Sequence, residues 1–213
     1  DQNDHTRAIP LAEQYLNDVE QHGNKSDIAD VANLLGLLYH DTNRMELAEQ
    51  EYLRSKEIYE QLAAENPSAY QPGLANICNN LGNLYTNTNR LELAEQEYLR
   101  AKEIREQLAA EHPSAYQPDL AGICNNLGVL YKKTNRMDLA EREYLRAKEI
   151  PEQLTAENPS AYQQDLAISC NNLGVLYSDT NRMDRAEQEY LRAKEIYEQL
   201  TVENPSAYQP NLA

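Results

Sequence analysis

Gly36, Gly82, Gly128 and Gly174 stand 46 residues apart, each inside a version of one string. Residues 74–119 and 120–165 are identical at 35 of 46 positions, and three units share CNNLG followed by one variable residue and LY. The first unit reads ANLLGLLY instead, and all four continue through TNR to EYLR. A period of this length is the mark of stacked supersecondary units, each too small to bury its own apolar face. The chain is therefore read as an array before it is read as a globule.

Within a unit the apolar spacing is that of two helices. In the third, Ile123, Leu127, Leu130 and Tyr131 recur on one face of a helix A expected over 120–133. Helix B is expected over 136–157, with Leu139, Ala140, Tyr144, Ala147 and Ile150 inward, ending at Asn158-Pro159 because proline cannot continue it. Asn135 with Asp138, and Asn43 with Glu46, read as capping boxes opening helix B. Helix B should then overhang helix A by about 12 Å at 1.5 Å per residue, with the SAYQP linker covering the overhang. The glycine reads as the point where A and B approach closely.

Composition removes several classes of function. The chain has no Trp and no Phe, its aromatic content is fifteen Tyr, and the balance of Leu, Ala, Glu and Gln favours helix. A formal charge of -16 repels nucleic-acid phosphates and anionic lipid, so neither nucleic acid nor membrane is expected as a partner. No stretch reaches the roughly 20 apolar residues of a transmembrane helix, and DQNDHTRAIP is not a signal peptide.

Leu127, Gly128, Tyr131, Ala140, Tyr144 and Ala147 match the signature spacing of the tetratricopeptide repeat, and the strings LxNNLGxLY and AKEIREQL most resemble the long repeats of kinesin light chains and their bacterial relatives. The resemblance departs where Cys78, Cys124 and Cys170 replace a frequent Trp, where Asn135 replaces a turn Gly, and where the helix-ending Pro is displaced. It implies an all-α fold, a right-handed α-solenoid of antiparallel helix pairs with a 46-residue repeat. The expected organisation is an N-terminal capping helix in 1–27, four repeats (28–73, 74–119, 120–165 and 166–211), and the start of a further repeat at 212–213. YQPNLA at 208–213 would open that next helix A.

No catalytic constellation is present. Equal Cys spacing places the thiols on stacked helices about 8 to 10 Å apart, too far for disulfides. They read as buried, reduced side chains, which fits a cytoplasmic setting. The four His have no ligand partner at zinc spacing, and no glycine-rich phosphate loop exists, so no metal and no cofactor are expected. The protein is not expected to be an enzyme.

The family resemblance instead implies a concave groove lined by helix A. The lining expected to bind an extended peptide segment of a protein partner is Asn33 in the first unit and Asn76, Asn79, Asn80 and Asn83 in the second. The third contributes Asn125, Asn126, Val129, Lys132 and Lys133, and the fourth Asn171, Asn172 and Val175. Asn33, Asn79, Asn125 and Asn171 form a ladder of amides able to grip a peptide backbone, and Lys132 and Lys133 should meet an acidic ligand residue. Residues that differ among the last three units fall largely on this lining. The alternative is a structural rod that self-associates head to tail without a dedicated ligand.

Overall fold

The computed structural model describes residues 2–155 and 159–203, which are helical almost throughout. Among them the helices are α1 (Gln2–His22), α2 (Lys25–Asp41), α3 (Met45–Glu65), α4 (Pro67–Asn87) and α5 (Leu91–Glu111), then α6 (Pro113–Lys133), α7 (Met137–Thr155), α8 (Pro159–Asp179) and α9 (Met183–Glu203). The described residues contain no strand. Two compact units divide the chain, Asp1–Ile104 and Arg105–Ala213. In the first, α1 packs on α2, α2 on α3 and α3 on α4; in the second, α6 packs on α7, α7 on α8 and α8 on α9. The expected all-α stack of antiparallel pairs is what each unit shows. The helix end expected at Asn158 and the further helix expected at 208–213 lie outside the described residues.

Helix A starts earlier than its apolar pattern suggests. α6 begins at Pro113 rather than Leu120, so SAYQP is its first turns and not a linker. Proline at the first helical position gives up an N–H that would be orphaned anyway, and its fixed φ suits the helix. α4 begins at Pro67 in the same way. α4 and α5 are both 21 residues long, so the expected overhang does not exist.

The Asn of TNR plays another part than the one expected. Asn43, Asn89, Asn135 and Asn181 all have φ between 57° and 60°, and the N-cap of α3 is Arg44, without a side-chain cap bond. Arg44 N donates to Tyr39 O at 2.7 Å and Asn43 N to His40 O at 2.9 Å, the paired bonds of a Schellman motif closing α2. The same pair closes α4, α6 and α8. Asn holds the left-handed position that glycine would otherwise take. In α4, α6 and α8 the following Arg stacks on the Tyr of the closed helix, Arg90 lying 4.5 Å from the Tyr85 ring centre. A capping box does exist, at Asn24 and Asp27, where it opens α2.

α7 runs through Pro151. Its counterparts are Tyr59, Arg105 and Tyr197, and proline has no N–H for the carbonyl of Ala147 four residues back. Ser169 of α8 meets that loss. It stands where the other units carry Val31, Ile77 and Ile123, it is fully buried, and its Oγ lies 3.1 Å from Ala147 O as donor. Asp119 of the preceding repeat is paired with Arg105 at 2.9 Å, whereas its counterpart Asp165 has Pro151 at the position of that arginine. Burial holds the Asp165 carboxyl above its ordinary range.

Replacing Pro151 with Arg restores the helical bond and offers Asp165 a cation, so it should raise the melting temperature; an interior proline costs about 3 kcal/mol against a good helix former. Ionised Asp165 is disfavoured by burial, a loss of stability that is absent below its unfolded pKa and grows as pH rises through its folded one. The gain from Arg should therefore be larger at neutral than at strongly acidic pH. Ser169→Ile should cost about 1–3 kcal/mol in the parent and less in the Pro151→Arg background. Thermal denaturation of the four proteins at two pH values checks all three.

Candidate interaction face

The A helices owe their position to the glycines. A Cβ on Gly36, Gly82, Gly128 or Gly174 would fall 2.4–2.6 Å from a ring carbon of Tyr52, Tyr98, Tyr144 or Tyr190, each on the B helix of the same pair. Tyr52, Tyr98 and Tyr144 are at most 2% exposed. Desolvation pushes the Tyr98 hydroxyl up to about 12, so it stays a proton donor. Its hydroxyl donates to Asn83 Oδ1 at 2.7 Å, which spends that amide oxygen inside the repeat.

Much of the expected amide ladder is used between adjacent A helices. In the first unit Asn80 Nδ2 donates to Asn33 Oδ1 at 3.0 Å, and His40 Nε2 lies 2.8 Å from Asn87 Nδ2. In the second, Asn172 Nδ2 donates to Asn125 Oδ1 at 3.2 Å while Asn125 Nδ2 donates to Ser169 Oγ at 3.0 Å. Asn125 therefore belongs to the network that begins at Pro151. Lys132 Nζ is 2.9 Å from Asp179 Oδ2, so its charge is answered by the neighbouring repeat. Asn79, Asn126 and Val175 are half-buried; Asn76, Lys133 and Asn171 are exposed.

The outward side of the A helices is more apolar than the amide pattern suggests. Leu34 and Leu37 on α2 are 45% and 42% exposed, Val129 on α6 is 43% and Ile168 on α8 is 37%. Ser169 is the buried hydrogen-bonding residue beneath this face that sequence reasoning missed. Its signal was a polar residue at a position that is Ile or Val in every other unit.

The three Cys are buried and form no disulfide, and burial pushes the Cys78 and Cys170 thiols up to about 12. A thiol so far from its thiolate is a poor nucleophile and a poor metal ligand. Among the described residues no group of three His, Cys, Asp or Glu could hold a metal ion, and no helix is long and apolar enough to cross a membrane.

Tetratricopeptide repeat models match residues 1–67, 74–114, 121–154 and 166–204. No curated protein matches the chain. Among solved structures, BtubC (BKLC) from P. vanneervenii is similar at 26% identity and a TM-score of 0.77, over 93% of this chain and 75% of that one. A Podosopora anserina putative kinesin light chain with nearly identical TPR-like repeats is similar at 18% identity and 0.60, over 94% and 91%. MamA shares the fold at 16% identity and 0.54, over 93% and 92%.

Asn125→Ala should lower stability by about 1–3 kcal/mol, because it removes the acceptor of Asn172 and the donor to buried Ser169. Asn171→Ala, at an exposed site, should change it by less than about 0.5 kcal/mol. Urea denaturation of the two variants checks the contrast.

Proposed function

The chain belongs to the tetratricopeptide repeat family, whose members are generally protein-interaction modules, and we propose that it holds an extended segment of a partner protein on the outward face of its A helices. One observation carries this reading. Near-identical repeats differ repeatedly along their A helices outside the core, as in Asn76, Gly122 and Ile168, or Asn83, Val129 and Val175. Leu34, Leu37, Val129 and Ile168 add partly exposed apolar surface to the A helices.

The chemistry of the face sets the ligand. Lys132 is engaged by Asp179, so the main attraction is apolar. Asn171 and Asn76 remain exposed for the ligand backbone, whereas Asn33 and Asn125 serve the scaffold. Ordering a flexible segment offsets much of the contact energy, and affinity of about micromolar order follows. The reading is of a non-catalytic scaffold without cofactor, and the buried reduced thiols favour the cytoplasm.

Leu34→Asn with Leu37→Asn installs the residues that α4 carries at positions 80 and 83, so the fold should tolerate the change. Partners captured from lysate should fall about tenfold, as expected for roughly 1.4 kcal/mol of lost contact, with helicity retained. Equal capture by parent and variant, or cross-links mapping to B helices, would contradict the outward face as the site.

A further inference from the structure

Where one repeat meets the next, a side chain of helix B lies against two positions of the following helix A, three residues apart. At the joint of α3 with α4 that side chain is Tyr59. Its ring centre lies 6.4 Å from that of Tyr70, and its ring occupies the space a Cβ on Gly73 would enter. At the equivalent place before α6 it is Arg105, whose guanidinium lies 5.3 Å from the Tyr116 ring centre and 2.9 Å from Asp119 Oδ2. The arginine side chain is 3% exposed and the aspartate 54%, so the carboxylate is open to solvent on its far side. A ring and a carboxylate at i and i+3 of one helix thus make a guanidinium receptor, the ring attracting the cation and the carboxylate accepting from its N–H groups.

The joint of α7 with α8 keeps the receptor and loses the arginine. Tyr162 and Asp165 stand on α8 as Tyr116 and Asp119 stand on α6, and Pro151 takes the place of Arg105. Pro151 is fully buried, and Tyr162 packs at the edge of the core formed by Ala147, Ile150 and Leu154. Tyr162 and Asp165 are both half-buried, so each keeps a side that solvent reaches. Among the described residues no cation pairs with Asp165, and burial holds its carboxyl above the ordinary range. In the same turn Gln163 Oε1 is buried and makes no hydrogen bond. One turn further on, Ile168 is 37% exposed at a position that is Asn76 and Gly122 in the two preceding repeats.

We propose that Tyr162 and Asp165 receive an arginine side chain of the partner segment, its guanidinium stacking on the ring and pairing with the carboxylate, while an apolar neighbour of that arginine rests on Ile168. This rests on the partner face of the A helices and names a residue that the face selects. The chain supplies this cation to Asp119 from its own helix B and supplies none to Asp165, and a net charge of -16 favours a basic ligand. Guanidinium suits the place better than ammonium, because a planar cation can lie on the ring and still direct N–H groups at the carboxylate.

Protein-observed NMR of the full chain, titrated with n-propylguanidinium chloride at constant ionic strength, tests the receptor without the partner. The amide signals of Tyr162 and Asp165 should shift and saturate with a Kd of millimolar order, as befits so small a probe. n-Propylammonium should bind at least about threefold more weakly. Asp165→Asn keeps the side-chain volume and removes the charge, and Pro151→Arg fills the receptor from within, so saturation should be lost in both. Saturation that persists in Asp165→Asn, or its absence in the parent, would overturn the receptor and leave the partner face standing. Equal binding of the ammonium would overturn the assignment to arginine. Unchanged capture by Leu34→Asn with Leu37→Asn, beside a titration that succeeds, would overturn the partner face and leave the receptor.

Discussion

A glycine against a tyrosine ring, repeated four times, is the contact from which the rest of the structure follows. With a Cβ in the way, helix A could not approach helix B closely enough to seat the ring, and the ring is the largest apolar surface available to a chain with no Trp and no Phe. Close approach in turn fixes which side of helix A is buried. The residues left outward are the ones on which the proposed binding face is built.

Charge does for the junctions between repeats what the glycine does within them. A chain at -16 would repel itself if its acids were scattered, but its cations are concentrated in positions that reach acids on the neighbouring B helix. The half-buried Lys–Glu pairs carry most of the specificity, because a misregistered neighbour would leave a poorly solvated charge without its partner. Exposed pairs such as Glu60 with Arg100 add little energy but agree with the same register. Burial next to these pairs also keeps the thiols of Cys78 and Cys170 protonated and chemically quiet.

Periodicity made the fold legible, since Gly36 and its successors, the paired helices and the close A–B approach all follow from residues 46 apart. Helix ends were less legible. Asn135 followed by an acid has the sequence of a capping box, yet the Arg136 N–H reaching back to Tyr131 O makes it the end of α6 rather than a beginning. Pro113 reads as a terminator and is also an initiator, and only the packing of the turns after it decides which. At the candidate site the exposed apolar positions could be read from helical spacing. The fate of the amides could not, because Asn33 reaching Asn80 depends on a rotation between neighbouring helices that no single repeat encodes.

Pro151 and Ser169 have a consequence for how such an array changes length. Genes with repeats this similar gain and lose units by unequal exchange, and each exchange joins one repeat's body to another's successor. A gain that places a copy of the unit carrying Ile123 after Pro151 leaves the Ala147 carbonyl facing an alkyl group. A loss that removes Pro151 but keeps Ser169 leaves a hydroxyl that can still donate to Asp165 O within its own helix, at 2.9 Å. The junction is therefore asymmetric: the serine keeps a hydrogen bond without the proline, whereas the carbonyl freed by the proline has the serine as its donor.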